Sequence, residues 1–297
     1  MTVGLIAMCI ATFCFGLTDV LLKKVQSEFP TLPLLIIRSG LSALGLLLLF
    51  LCSYYSPFAT VGYKIRYKPQ AINWSVLPYS IALASVSYFG LFFFMQAIKH
   101  SLVSETVGFN KIGVVMGVLI GVMVYKEPFT LQKLICTLII LSGIAILEKQ
   151  FLLQKNKGIS KGLMFVFLAR LCWSVGYLFV PYIRGLGVLL FSFVVESVVC
   201  AWSIMLYQFD KNKMGIRNWK VKPIFNNILI IALIGIIAEA SANMAKNDIP
   251  IVLLAFLGLI QPVTTLVFSK LYVGERLNAS QWLGIGLGVF GALIFAL

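Results

Sequence analysis

Ten runs of apolar residues, separated by short polar stretches, take up nearly the whole chain. They fall at roughly 3–22, 32–53, 76–98, 103–124, 130–147, 162–182, 187–207, 226–245, 249–272 and 279–297. Each is close to the twenty or so residues that carry a helix across a hydrocarbon core. None alternates apolar with polar residues at period two, which excludes a membrane β-barrel. A helix satisfies every backbone donor and acceptor within the segment, as lipid demands. The pattern predicts an all-α integral membrane protein with ten transmembrane helices. The links Lys99–Leu102, Lys126–Thr130 and Val273–Asn278 are short and force antiparallel neighbours. The longest links are 54–75, 148–161 and 208–225.

The runs also repeat. At an offset of 158 residues Ala11 meets Ala169, Cys14 meets Cys172, Arg38 meets Glu196, Ser39 meets Ser197 and Ala43 meets Ala201. Beyond a loop that is shorter in the second half the offset becomes 148, and Ala97 meets Ala245, Glu127 meets Glu275 and Gly143 meets Gly291. Each half holds five runs. Five is odd, so the second half enters the membrane the opposite way round. Two inverted five-helix repeats are expected, at 1–148 and 162–297, joined by a loop at 149–161. Such repeats are a transporter architecture, because the halves can rock about a site between them.

Composition agrees. Hydrophobic residues make up 60% of the chain and charged residues 11%, against about 25% charged in a soluble domain. The net charge of +14 comes largely from loop residues such as Lys64, Arg66, Lys155, Lys157, Lys211, Lys213 and Arg217. Basic loops read as contacts with anionic lipid and as topology signals rather than as a nucleic-acid surface. Their roughly twofold bias toward the links after odd-numbered runs would put both termini outside by the positive-inside rule. The six cysteines lie in apolar runs without C-x-x-C spacing and read as small buried thiols, not disulfides or a metal site. The first run lacks a basic n-region, contains Asp19 and reads as a retained span.

Ionisable groups at membrane depth cost about 2.5–3.5 kcal/mol or more, so each needs a partner, water or a role. Arg38, Lys111, Arg170, Glu196 and Glu239 all fall well inside runs, whereas Asp19 is near the end of its run and has the surface within reach. Glu239 and Asn243 share one helix face. Lys111, Asn110, Glu239, Asn243 and Gln261 are candidates to line a polar cavity, with Tyr88 and Trp173 as stacking surfaces. Tyr177 and the Phe89–Phe94 cluster are further aromatic candidates, for a ligand or for packing. Arg38, Glu196, Arg170 and Asp19 are candidate coupling or helix-locking charges; Arg38 with Glu196 is either a lock across the pseudo-twofold axis or a substrate contact. Pro262 interrupts a helical hydrogen bond and reads as a hinge or a fixed kink. Gly113, Gly117 and Gly121 form a smooth stripe for close helix packing. Glu127 and Glu275 each precede a helix and read as caps on its N-terminus.

These residues carry a resemblance. Phe15-Gly16 and Trp173 in the opening spans, Glu127…Gln132…Gly143, and Pro262…Gly274-Glu275…Gln281…Gly284…Gly291 are similar to the EamA domains of the drug/metabolite transporter superfamily. The resemblance spans nearly the whole chain. It implies ten helices, a central cavity lined by spans three, four, eight and nine, alternating access without ATP, and termini in the cytoplasm, contrary to the charge count. Two departures stand out: Val114 occupies the position matching Pro262, and Lys111 is an unusual charge for that helix.

The expected function is a secondary-active carrier of a small polar metabolite in a bacterial inner membrane. A cation at Lys111 and an anion at Glu239 suit an amino acid or related zwitterion, with Glu239 or Glu196 as the group that takes up a coupling proton. A flippase for lipids or lipid-linked sugars is the alternative within the superfamily. A lipid enzyme lacks support: no H-E-x-x-H, no G-x-S-x-G and a single histidine, His100, occur. No cofactor, metal or nucleic-acid partner is expected, and the sequence gives no signal for oligomeric state.

Overall fold

The computed structural model describes residues 2–55, 72–100, 112–128, 130–132, 134–139, 142–143, 146, 161–210, 224–274 and 279–296. Its long helices are α1 (Thr2–Gln26), α2 (Thr31–Tyr55), α3 (Leu77–His100), α4 (Ile112–Met123), α5 (Lys161–Ser174), α6 (Val180–Leu186), α7 (Val188–Phe209), α8 (Phe225–Asp248), α9 (Ile251–Leu257), α10 (Ile260–Tyr272) and α11 (Ala279–Ala296). Further helical residues fall within 131–146. Among the described residues seven helical segments are long and apolar enough to cross a membrane, and Gly113–Met123 is a shorter apolar helix. Trp74–His100 opens with a 3-10 turn at Trp74–Val76, and two of the seven, Met164–Leu186 and Ile251–Tyr272, are interrupted within the span.

Proline explains both interruptions. α5 gives way to a 3-10 stretch at Val175–Phe179, and α6 resumes with Pro181 in its first turn. Pro181 has no N–H to give to the carbonyl four residues back, that of Tyr177. Pro262 does the same to Gly258. There the chain tightens instead, and the Gln261 N–H reaches the Gly258 carbonyl at 3.3 Å between α9 and α10. Non-helical backbone at this depth is tolerated only where it is buried in protein or lines a cavity.

The helices pack as α1 on α8 and α10, α2 on α7, α3 on α5, and α4 on α9. The largest apolar cluster joins Leu22, Leu34, Leu35, Met95, Ile98, Ile228 and Ile231, so α1, α2, α3 and α8 share one core. The stripe on α4 works as close-packing surface at two of its three glycines: a Cβ on Gly117 would lie 2.5 Å from the Ala255 Cβ, and one on Gly121 would lie 2.6 Å from Val252 Cγ2. At Gly113 it faces the side chain of Arg170 instead. Gln132 donates to the Ile294 carbonyl at 3.0 Å, tying the residues after α4 to α11.

Tight turns set the helix ends on one face. Gly187, at φ 80°, lets α6 fold directly into α7 in a backbone region costly for other residues. Pro250 holds Ile249 extended (φ −124°, ψ 154°), which ends α8 and reverses the chain into α9.

Candidate substrate site

Two groups of charge lie inside the bundle. The first runs between α2, α7 and α8. Arg38 donates from Nη2 to Glu196 Oε1 at 2.9 Å, from Nη1 to Glu196 Oε2 at 3.3 Å, and from Nη1 to Ser39 Oγ at 3.3 Å. Arg38 is 7% exposed and Glu196 3%, so the pair is sealed. Gly235 makes room for it, since a Cβ there would stand 3.0 Å from Arg38 Nη2. Four and eight residues on, Glu239 and Asn243 continue the same face of α8. Asn243 is fully buried and donates to Glu239 Oε1 at 3.0 Å and Ser192 Oγ at 2.9 Å. Lys246 donates to Asn243 Oδ1 at 3.1 Å and sits 5.1 Å from the centre of the Phe179 ring, in the 3-10 stretch.

The second group joins α1, α5 and α10. Asp19 Oδ2 accepts from Gln261 Nε2 at 3.0 Å and from Thr265 Oγ1 at 3.2 Å. Asp19 is 6% exposed, so it does not reach the surface that its position in the run offered. Gly16, one turn earlier, lets α1 close on Thr264 and Thr265, and Thr264 donates to the Thr12 carbonyl at 3.1 Å. Arg170 lies within electrostatic reach of Asp19, yet no ion pair joins the two among the described residues. Its guanidinium rests 4.8 Å from the centre of the Trp173 ring and 6.0 Å from that of Phe94. The Nε and Nη2 atoms of Arg170 are buried and have no hydrogen-bond partner among the described residues.

The turn after α4 reaches both interrupted spans. Tyr125 donates to the Tyr177 carbonyl at 2.9 Å, the acceptor that Pro181 leaves free. Glu127 accepts from the Ile251 N–H at 2.6 Å and the Val252 N–H at 3.1 Å, at the start of α9. Glu127 therefore caps a helix in the other half of the chain rather than the one that follows it. Lys126 between them takes φ 57°, an uncommon backbone state for a residue with a side chain.

The structure thus brings Glu239 and Asn243 together, and Asp19 with Gln261 and Arg170. Trp173 belongs with the second group: a Cβ on Gly90 would meet its ring at 2.7 Å, and Arg170 covers its face. Tyr88 stands apart in the core, fully buried and stacked on Trp202 with centroids 6.2 Å apart and 12° between planes. Asn110, Lys111 and Glu275 lie outside the described residues. Pro262 sits at the interruption between α9 and α10. Sequence reading missed Lys246. Its spacing of three from Asn243 and seven from Glu239, on one helix face, was the available signal. Pro181 was missed as well, although it is the counterpart in kind of Pro262.

Comparison with known proteins adds the family. None of the curated proteins matches the sequence. A solved structure described only as "Crystal structure of protein" superposes with a TM-score of 0.69 at 14% identity, over 97% of this chain and 96% of the other, a likeness that shows the fold alone. The model of the EamA-like transporter family matches residues 2–148 and again 160–297. With two such repeats across its length and several helices apolar enough to cross a bilayer, the chain is a multi-pass integral membrane protein that belongs to the EamA-like transporter family.

Proposed function

We propose that the protein is a secondary-active carrier of a small polar metabolite, an amino acid or related zwitterion, working by alternating access in a bacterial inner membrane. The observation that carries this reading is the coincidence of interrupted backbone and charge. Arg170 lies about a turn before one interruption and Tyr177 within it, Gln261 abuts the other, and Asp19 bonds to Gln261. Carriers build substrate sites from such discontinuous helices near the bilayer midplane. Both signs of charge are present within electrostatic reach of each other, which suits a ligand that carries both.

The inverted-repeat mechanism is supported by the pattern of helix contacts. If α1 corresponds to the interrupted span α5–α6, α2 to α7, α3 to α8 and α4 to α9–α10, a twofold operation turns one contact into another. The contact α1 with α8 then becomes α3 with α5, α1 with α10 becomes α4 with α5, and α3 with α7 becomes α2 with α8; each of these pairs is in contact. The contacts α2 with α7 and α4 with α9 map onto themselves. Arg38 and Glu196, equivalent in the repeat, bond to each other, as such a twofold would allow.

In this reading Glu239 and Asn243, with Asn110 and Lys111, line the route into the site, and Glu239 or Glu196 takes up the coupling proton. The test is uptake of radiolabelled amino acids into proteoliposomes with and without an imposed proton gradient. Saturable uptake that rises with the gradient and weakens in Glu239→Gln and in Lys111→Ala is expected. Failure of the purified protein to move any small polar metabolite, in either direction, would sink the carrier reading, and movement only of solutes other than amino acids or related zwitterions would sink its choice of substrate.

A further inference from the structure

The geometry points to Arg170 as the anchor for the carboxylate of the transported solute, held side-on by its Nε and Nη2. This rests on the carrier reading above and deepens it by naming the chemical group the site recognises.

Three observations carry it. Arg170 lies six residues into the candidate membrane span that begins at Met164, about 9 Å along the helix. That depth is beyond the headgroups, so a lipid phosphate does not complete it. Second, the two unpartnered donors are Nε and Nη2, which lie on the same edge of the guanidinium. That edge is a two-pronged fork whose parallel N–H bonds match the two oxygens of a carboxylate. Buried polar groups almost always find partners, and a buried charged donor left without one is costly. Third, the protein supplies a carboxylate nearby and keeps it away. Asp19 is engaged by Gln261 and Thr265 rather than by Arg170.

The surroundings fix the fork in place. Trp173 covers a face of the guanidinium, and Gly90 leaves room for the Trp173 ring, which a Cβ there would meet at 2.7 Å. Gly113 on α4 leaves the arm of Arg170 uncrowded, with its nearest contact to a built Cβ at 4.0 Å. With the Asp19 anion nearby, the Arg170 cation favours a monoanion over a phosphate dianion, which Asp19 would repel more strongly.

Arg38 shows what a locked arginine looks like in the same bundle. Its Nη1 and Nη2 both bind Glu196, and only Nε goes without a partner. Arg170 keeps the whole side edge free.

The test uses the full chain in lipid nanodiscs. Thermal unfolding is followed with each of the twenty amino acids, their methyl esters, choline, uridine and inorganic phosphate, since a binder raises the unfolding temperature by mass action. At least one amino acid should stabilise the protein, and its methyl ester should bind at least about tenfold more weakly. For that amino acid, Arg170→Lys, which keeps the charge and loses the fork, should raise the Kd by at least about tenfold. A methyl ester that binds as tightly as the free acid overturns the inference in the wild-type protein, whatever the variant does. Stabilisation by choline or uridine alone, with transport of that solute in proteoliposomes, overturns it and leaves the carrier reading standing. Stabilisation by phosphate alone, lost in Arg170→Lys, overturns the carboxylate in favour of a phosphate. If no probe binds and none is transported, inference and carrier reading fall together.

Discussion

Two arginines inside one bundle, Arg38 buried and Arg170 half-buried, do different work. Arg38 meets a carboxylate, Glu196, at 2.9 Å and shares a serine with it. It lies between continuous helices, α2 and α7. Arg170 has a carboxylate within electrostatic reach but bonds to none among the described residues, and it lies just before the 3-10 stretch of an interrupted span. The difference lies in how Asp19 is held. Two neutral side chains on α10, Gln261 and Thr265, bond to Asp19 Oδ2 and hold it toward α10 rather than toward Arg170. A paired buried charge closes a site, whereas two charges held apart at a break in the backbone leave one open to a third party.

The largest expected effect separates the two regions by stability. Glu196→Ala leaves Arg38 charged, buried and unpaired, and should destabilise the fold by about 3–5 kcal/mol in thermal or detergent unfolding. The double variant Arg38→Met with Glu196→Leu should recover most of that loss, because both charges are gone together. A double variant as unstable as Glu196→Ala would show that the pair is more than a lock.

Asp19→Asn probes the other region. The amide oxygen can still accept from Gln261 and Thr265, so the unfolding temperature should change little. Uptake of the substrate should fall at least about tenfold, or ~1.4 kcal/mol, because the anion available to the ammonium of a zwitterion is lost. Equal stability loss in Asp19→Asn and Glu196→Ala would erase the contrast.

Smaller effects come from the turn that ties down the interrupted spans. Glu127→Ala frees the N–H groups of Ile251 and Val252 and should cost about 1–2 kcal/mol, read as faster amide exchange at the start of α9. Tyr125→Phe removes one bond to the Tyr177 carbonyl and should cost about 0.5–1.5 kcal/mol. Burial pushes the Tyr125 phenol up from its ordinary value, so the hydroxyl keeps its proton at neutral pH and the loss should be independent of pH there. Both variants should loosen the surroundings of Arg170 while leaving the Arg38–Glu196 pair unchanged. An altered unfolding response at Arg38 would mean the two regions are coupled.

Sequence alone determined that the chain is a helical membrane protein and that its two halves repeat, because lipid tolerates few backbone solutions and long apolar runs cannot be read another way. The pairing of Arg38 with Glu196 was legible for a related reason: equivalent positions in two repeats meet wherever an axis passes between them. The reading of Glu127 as a helix cap was sound in chemistry and wrong in address, since the helix it caps is α9, in the other repeat. Asp19, by its place in the first run, had the surface open to it. Its burial, its bonds to Gln261 and Thr265 and its separation from Arg170 were decided only by tertiary structure. Those contacts join residues some 242 to 246 positions apart, and no local pattern encodes which face of α10 turns toward α1. The same holds for Lys246, whose role depends on Phe179 in another helix. Periodicity reports what a segment must bury; which buried charges end up joined and which are kept apart is settled when the helices meet.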